Sequence, residues 1–108
     1  DQYPSAVEYL LGALSASLST GFATEAARVG LEVDDIEITV KGRLENALAL
    51  LGDESGEPVF SNIELKCFAS TFEDEKQVRK IWERTLARSP IAATLRHAVE
   101  MKVSFSVV

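Results

Sequence analysis

Few side chains in this chain of 108 residues have the chemistry for a reactive site, and most of those few also have an ordinary structural use. Cys67 is the only cysteine, so no disulfide can form within the chain, which fits a reducing cytoplasm. It alternates with Ile63 and Leu65 on one face of an apolar run, where a thiol packs as a small inert hydrophobe. His97 is the only histidine; with no second one it makes a poor metal site and a poor triad member. It falls near the end of a short helix, where a cation is welcome. Ser17 lies among Gly12, Ala13, Ala16 and Gly21, small residues that let another backbone come close. Ser89 precedes Pro90, an ordinary helix start. The GDESG stretch at 52–56 has neither the lysine nor the helix start of a phosphate loop.

The elements that must position these groups follow from periodicity. Ser5 and Glu8 form a capping box, Gly30 supplies a stop, and no proline lies between, which predicts one helix of about six turns. Val7, Leu10, Leu11, Leu14, Leu18 and Phe22 recur at helical steps along it, so it belongs in the interior against a sheet, a second helix or a partner chain. From Val33 to Lys41 the period becomes two, with Ile36, Ile38 and Val40 on one side of a half-buried strand. Gly42 to Asn46 extends or ends that strand, Ala47 to Leu51 fits a helical turn or a strand edge equally, and Gly52 to Pro58 is a loop. Phe60 to Ser70 alternates again. A second helix starts at an N-cap on Thr71 or Asp74 and buries Val78, Ile81, Trp82, Thr85 and Leu86. Its wet face carries Arg79, Lys80, Glu83 and Arg84, and Glu75 to Arg79 is a favourable four-residue pair. It ends at Arg88; a short third helix runs from Pro90 to about Ala98, and a closing strand from Val99 to Val107 places Met101 in the core. Helices on a mainly antiparallel sheet make the expected fold α+β, a single domain over 1–108.

Composition narrows the partners. Seventeen acidic against eleven basic side chains leave a net charge of −6, and no basic cluster stands clear of acidic neighbours, so nucleic acid and anionic membrane are poor expectations. The run from Val7 to Thr24 approaches a membrane span in length, but five Ser or Thr residues and the flanking Glu8 and Glu25 make it a core helix of a soluble protein. No basic segment precedes it, so it does not read as a signal peptide. No cofactor or metal is expected. A buried helix that starts at residue 5 has nothing before it as cover, so later strands and a partner subunit cover it or an N-terminal portion lies outside this sequence.

Taken together, PSAVEYLLGALSASLSTG, IEITVKGRL, FSNIELKCFASTF and RSPIAATLRHAVEMKVSF resemble the central helix, following strands and closing helix and strand of the OsmC/Ohr family, the osmotically inducible and organic hydroperoxide resistance proteins. The resemblance spans nearly the whole chain, but the family's N-terminal strands have no counterpart here. It implies an interlocked homodimer with two sites at the subunit interface, and thiol chemistry. In peroxidatic members a cysteine on the central helix attacks an organic hydroperoxide, and a cysteine before a proline then resolves the sulfenic acid into a disulfide.

Those two positions fall on Ser17 in LSASLST and on Ser89 in RSPIAATL. A hydroxyl forms no comparable anion near neutral pH and passes through no sulfenic acid, so the two-cysteine cycle is not expected. The family's activating arginine belongs to the N-terminal strands and has no counterpart. Glu8, the match for the glutamate that holds it, lies nine residues before Ser17, about 180° around the helix. Its capping role is therefore favoured. The resulting expectation is an OsmC/Ohr-like protein related to organic hydroperoxide detoxification and inactive as a thiol peroxidase. The alternative is a non-enzymatic module that binds a small apolar or lipid-like ligand at the dimer interface.

Overall fold

The computed structural model describes residues 5–46, 52 and 56–108. The open reading of Ala47 to Leu51 lies outside the described residues. Helix α1 runs Ala6–Val29. Both capping-box bonds are made: the Glu8 N–H donates to Ser5 Oγ and the Ser5 N–H to Glu8 Oε1, each at 3.2 Å. Gly30 ends the helix in the left-handed region at φ 70°, and the Leu31 N–H reaches back to the Ala26 carbonyl at 3.1 Å, so carbonyls left over by the last turn find donors.

Strands β1 (Asp35–Leu44) and β2 (Phe60–Ser70) pair antiparallel, with Ile38 opposite Cys67 and Lys41 opposite Glu64. Helix α2 (Glu75–Arg88) and helix α3 (Pro90–Arg96) then carry the chain back to the start of β2, and β3 (Glu100–Val107) runs beside it. A connection that returns to the same end of its strand makes the next strand parallel. Met101 accordingly sits opposite Ile63, and Phe105 opposite Cys67. The sheet, in the order β1-β2-β3, is thus mixed where a mainly antiparallel one was expected; the α+β class stands.

Central strand β2 supplies the floor of the core through Ile63, Leu65, Cys67 and Ala69. Leu14, Leu18, Phe22 and Ala26 of α1 and Val78, Ile81 and Trp82 of α2 pack over it. The Trp82 indole stacks on Phe105 at 5.9 Å between ring centres and tilts against Phe22 at 6.5 Å. Arg79, expected on the wet face, lays its guanidinium 5.2 Å from the Phe105 ring centre and so closes that side of the core. The N-cap of α2 is Asp74, whose side chain makes no capping bond; Thr71 instead donates to the Glu32 carbonyl and accepts from the Glu73 N–H.

Within a single chain α1 is covered on one side: Leu14, Leu18, Phe22, Glu25 and Ala26 are buried, whereas Leu10, Gly12, Ala13, Ala16, Ala23 and Ala27 are exposed. Among the described residues, the three strands with α2 and α3 meet only one side of a helix 24 residues long.

Candidate functional site

The side of α1 that meets the α2–α3 junction carries a polar row. Ser17, Gly21 and Glu25 are spaced four residues apart, so they climb one flank of the helix with only about 40° of drift per step. Each meets a residue of the last turn of α2 or its cap. Ser17 Oγ and Ser89 Oγ lie 2.7 Å apart, a hydrogen bond in which either hydroxyl can donate. A Cβ added at Gly21 would stand 3.3 Å from Thr85 Cγ2, which measures how near the two helices run. Arg88 Nη1 donates to both oxygens of Glu25, at 2.9 and 3.1 Å.

Ser89 alone separates α2 from α3. It is at once the C-cap of α2 and the N-cap of α3, its side chain accepting from the Ala92 N–H at 3.1 Å. Pro90 follows at the first helical position, where its missing N–H costs nothing. The helix-start reading of Ser89 is therefore right, and the same hydroxyl also meets Ser17. The small-residue reading of Ser17 holds in part, since the tight helix approach falls one turn on, at Gly21.

An open groove of about 670 Å³ runs along this seam. Ala13 and Ala16 form its apolar end, Ser17, Ser89 and Pro90 its middle, and Thr24, Glu25, Arg28 and Arg88 its charged end. The charged end thus holds two guanidinium groups and one carboxylate. The Glu25 side chain is 7% exposed and that of Arg88 59% exposed, so the ion pair reaches from the protein interior to the groove mouth.

The remaining sequence candidates lie elsewhere. Glu8 is exposed at the start of α1, is engaged in its cap and does not line the groove. His97 is exposed at the C-terminus of α3. Cys67 is 1% exposed on β2, and burial pushes its thiol up from near 9 to about 12. Because the folded chain holds that proton more tightly than the unfolded one, stability is unaffected below pH 9 and falls as pH rises from about 9 to about 12. At pH 9 the native thiol is expected to react with iodoacetamide at least about a hundredfold more slowly than the urea-unfolded chain, followed by intact mass; equal rates would show an accessible thiolate.

Sequence reasoning did not single out the Glu25–Arg88 pair. The available signal was Glu25 two four-residue steps beyond Ser17, together with Arg88 adjoining Ser89. Among the described residues no cluster of three or more His, Cys, Asp or Glu could hold a metal ion, and no helix is long and apolar enough to cross a membrane.

A long helix laid on a mixed sheet, with its middle touching the one-residue junction of two following helices, defines an α+β protein with a polar pair between central helix and helix start. The profile of the OsmC-like protein family matches residues 1–104, and the chain belongs to that family. Its fold is similar to the crystal structure of an OsmC-like protein from Mycoplasma pneumoniae, with TM-score 0.86 at 15% identity over 100% of this chain and 74% of that one. It is similar also to an organic hydroperoxide resistance protein from Elizabethkingia anophelis with crystallant-derived thiocyanate bound, with TM-score 0.82 at 15% identity, covering 100% and 71%. An organic hydroperoxide resistance protein OsmC from Legionella pneumophila gives TM-score 0.72 at 13% identity, covering 98% and 72%. At these identities the likeness is one of fold. No curated protein sequence matches the chain.

Proposed function

We propose that this chain is a homodimeric OsmC-type protein that engages organic hydroperoxides at the groove between α1 and the α2–α3 junction without reducing them through thiols. The observation that carries this reading is the 2.7 Å contact of the Ser17 and Ser89 hydroxyls, at the two positions where the resemblance expects the attacking and resolving thiols. A thiolate gives a peroxide oxygen an easily oxidised electron pair; a serine hydroxyl stays protonated near pH 7 and offers none. Dimerisation through α1 is supported by its exposed face, which carries Leu10 beside the small residues Gly12, Ala13 and Ala16. A cytoplasmic setting agrees with a lone buried thiol.

One observation favours a second reading, a binding module for a small apolar or lipid-like ligand: the groove is lined by Ala13 and Ala16 at one end and by arginines at the other. The test is a steady-state assay with tert-butyl hydroperoxide, an organic hydroperoxide, and a dithiol reductant. The wild-type protein is expected to give no reductant-dependent turnover above the protein-free control. Sustained turnover would sink the proposal. Native mass spectrometry of the same protein separates the second reading by a co-purifying ligand, and checks the expected mass of two chains.

A further inference from the structure

The hydroxyls of Ser17 and Ser89 meet at 2.7 Å across the seam between α1 and the α2–α3 junction. The junction has almost no freedom of its own, because one residue separates α2 from α3 and that residue is bonded on every side. The Ser89 N–H donates to the Thr85 carbonyl at 3.0 Å, its carbonyl accepts from the Ala93 N–H at 2.9 Å, and its hydroxyl accepts from the Ala92 N–H. The direction of the hydroxyl is thereby fixed. What stays adjustable is the distance of the whole junction from α1.

Two features set that distance. Gly21 lets the junction come close to α1, since a Cβ there would stand 3.3 Å from Thr85 Cγ2, tighter than ordinary contact. Glu25 and Arg88 draw the junction inward. The Glu25 carboxylate is almost wholly removed from water, and among the described residues its hydrogen bonds go to Arg88 alone. A buried carboxylate that loses its cation is strongly disfavoured, so the arginine is bound to remain on it. Arg88 adjoins Ser89 in the chain, and holding one places the other.

We propose that Glu25 and Arg88 form a positioning pair that sets the reach between side chains 17 and 89, and hence the capacity of those two positions to act together. The proposal rests on reading the groove at Ser17 and Ser89 as the functional site. Neither residue is catalytic in it; both act through the junction.

The test replaces both serines by cysteine and asks how readily the thiols close into a disulfide. The Ser17→Cys, Ser89→Cys protein is equilibrated with reduced and oxidised glutathione under native conditions. The two thiols give two electrons and two protons to glutathione disulfide, which leaves as two molecules of glutathione. The equilibrium ratio, read by intact mass, is the effective concentration of one thiol at the other. Adding Glu25→Gln is expected to lower it at least about tenfold, since a neutral amide no longer anchors the guanidinium. Adding Arg88→Gln, which leaves the buried Glu25 carboxylate without its cation, is expected to lower it at least as much, and Arg88→Lys to recover part of the loss. Ser5→Ala, a capping change far along α1 with a stability cost of its own, is expected to leave the ratio within twofold.

Ratios for Glu25→Gln and Arg88→Gln within twofold of the parent would overturn the proposal. So would an equal fall in Ser5→Ala, because the readout would then follow overall stability. The measurement involves no hydroperoxide, so it can fail while the proposed function stands, and hydroperoxide turnover by the wild-type chain would leave its outcome untouched.

Discussion

The Ser17→Cys, Ser89→Cys variant is expected to acquire hydroperoxide-driven disulfide formation that the wild-type chain lacks. Its hydroxyls already meet at 2.7 Å, so sulfur atoms on the same side chains need little backbone movement to bond. The thiolate attacks the distal oxygen of the hydroperoxide and the O–O bond breaks. The alkoxide leaves as alcohol after taking a proton, and the sulfenic acid remains on the protein. The second thiol then displaces water from that sulfur and closes the disulfide. With a dithiol reductant present, turnover is expected to exceed that of the wild-type protein by at least about a hundredfold, because a step with no nucleophile acquires one. The free-thiol count after one equivalent of tert-butyl hydroperoxide checks this directly: the variant is expected to retain only the buried Cys67 thiol. Retention of all three thiols would mean that the two positions do not meet in solution.

The second large effect concerns stability. Trp82 is 2% exposed and lies between Phe22 and Phe105, so Trp82→Ala is expected to cost about 3–5 kcal/mol in urea unfolding from lost transfer energy and a cavity. That is a large share of what a domain this size has to lose. Trp82→Phe tests a finer point. The indole Nε1 is buried without a hydrogen-bond partner among the described residues, and an orphaned donor costs about 1–3 kcal/mol. Removing it offsets much of the lost ring contact, so the phenylalanine variant is expected within about 1.5 kcal/mol of wild type. A cost equal to that of the alanine variant would show that the indole N–H is satisfied.

The local features were legible in the sequence because local physics fixes them. Ser5 with Glu8, Gly30, and Ser89 with Pro90 announce helix ends through groups three or four residues apart. Alternation from Ile36 to Val40 and from Ile63 to Cys67 gave the strands and their inner faces, because a strand's side chains must alternate. Alternation does not say which strand lies alongside or in which direction, so the parallel pairing of Phe105 with Cys67 was out of reach. The small-residue surface of α1 suggested burial, yet its composition is the same whether the covering surface belongs to the same chain or to another. Ala13, Ala16 and Ala23 are exposed in this one.

The site was legible to a lesser degree. Ser17 and Ser89 are 72 residues apart, and each alone has a sufficient structural use, so only the resemblance brought them together. Their meeting depends on how α2 docks on α1, a matter of tertiary packing. Glu25 and Arg88 are 63 residues apart and each reads as an ordinary charge near a helix end. What marks them as a unit is the burial of the carboxylate, and burial at a helix–helix seam depends on what packs there.

Consumption of tert-butyl hydroperoxide by the fully reduced wild-type protein, without any reductant, tests the central claim most directly. With hydroxyls at Ser17 and Ser89 and the Cys67 thiol buried, the protein is expected to leave the hydroperoxide titre unchanged and to give no sulfenic acid that dimedone can trap. Loss of one equivalent of hydroperoxide per chain, with a dimedone adduct on Cys67, would contradict the account.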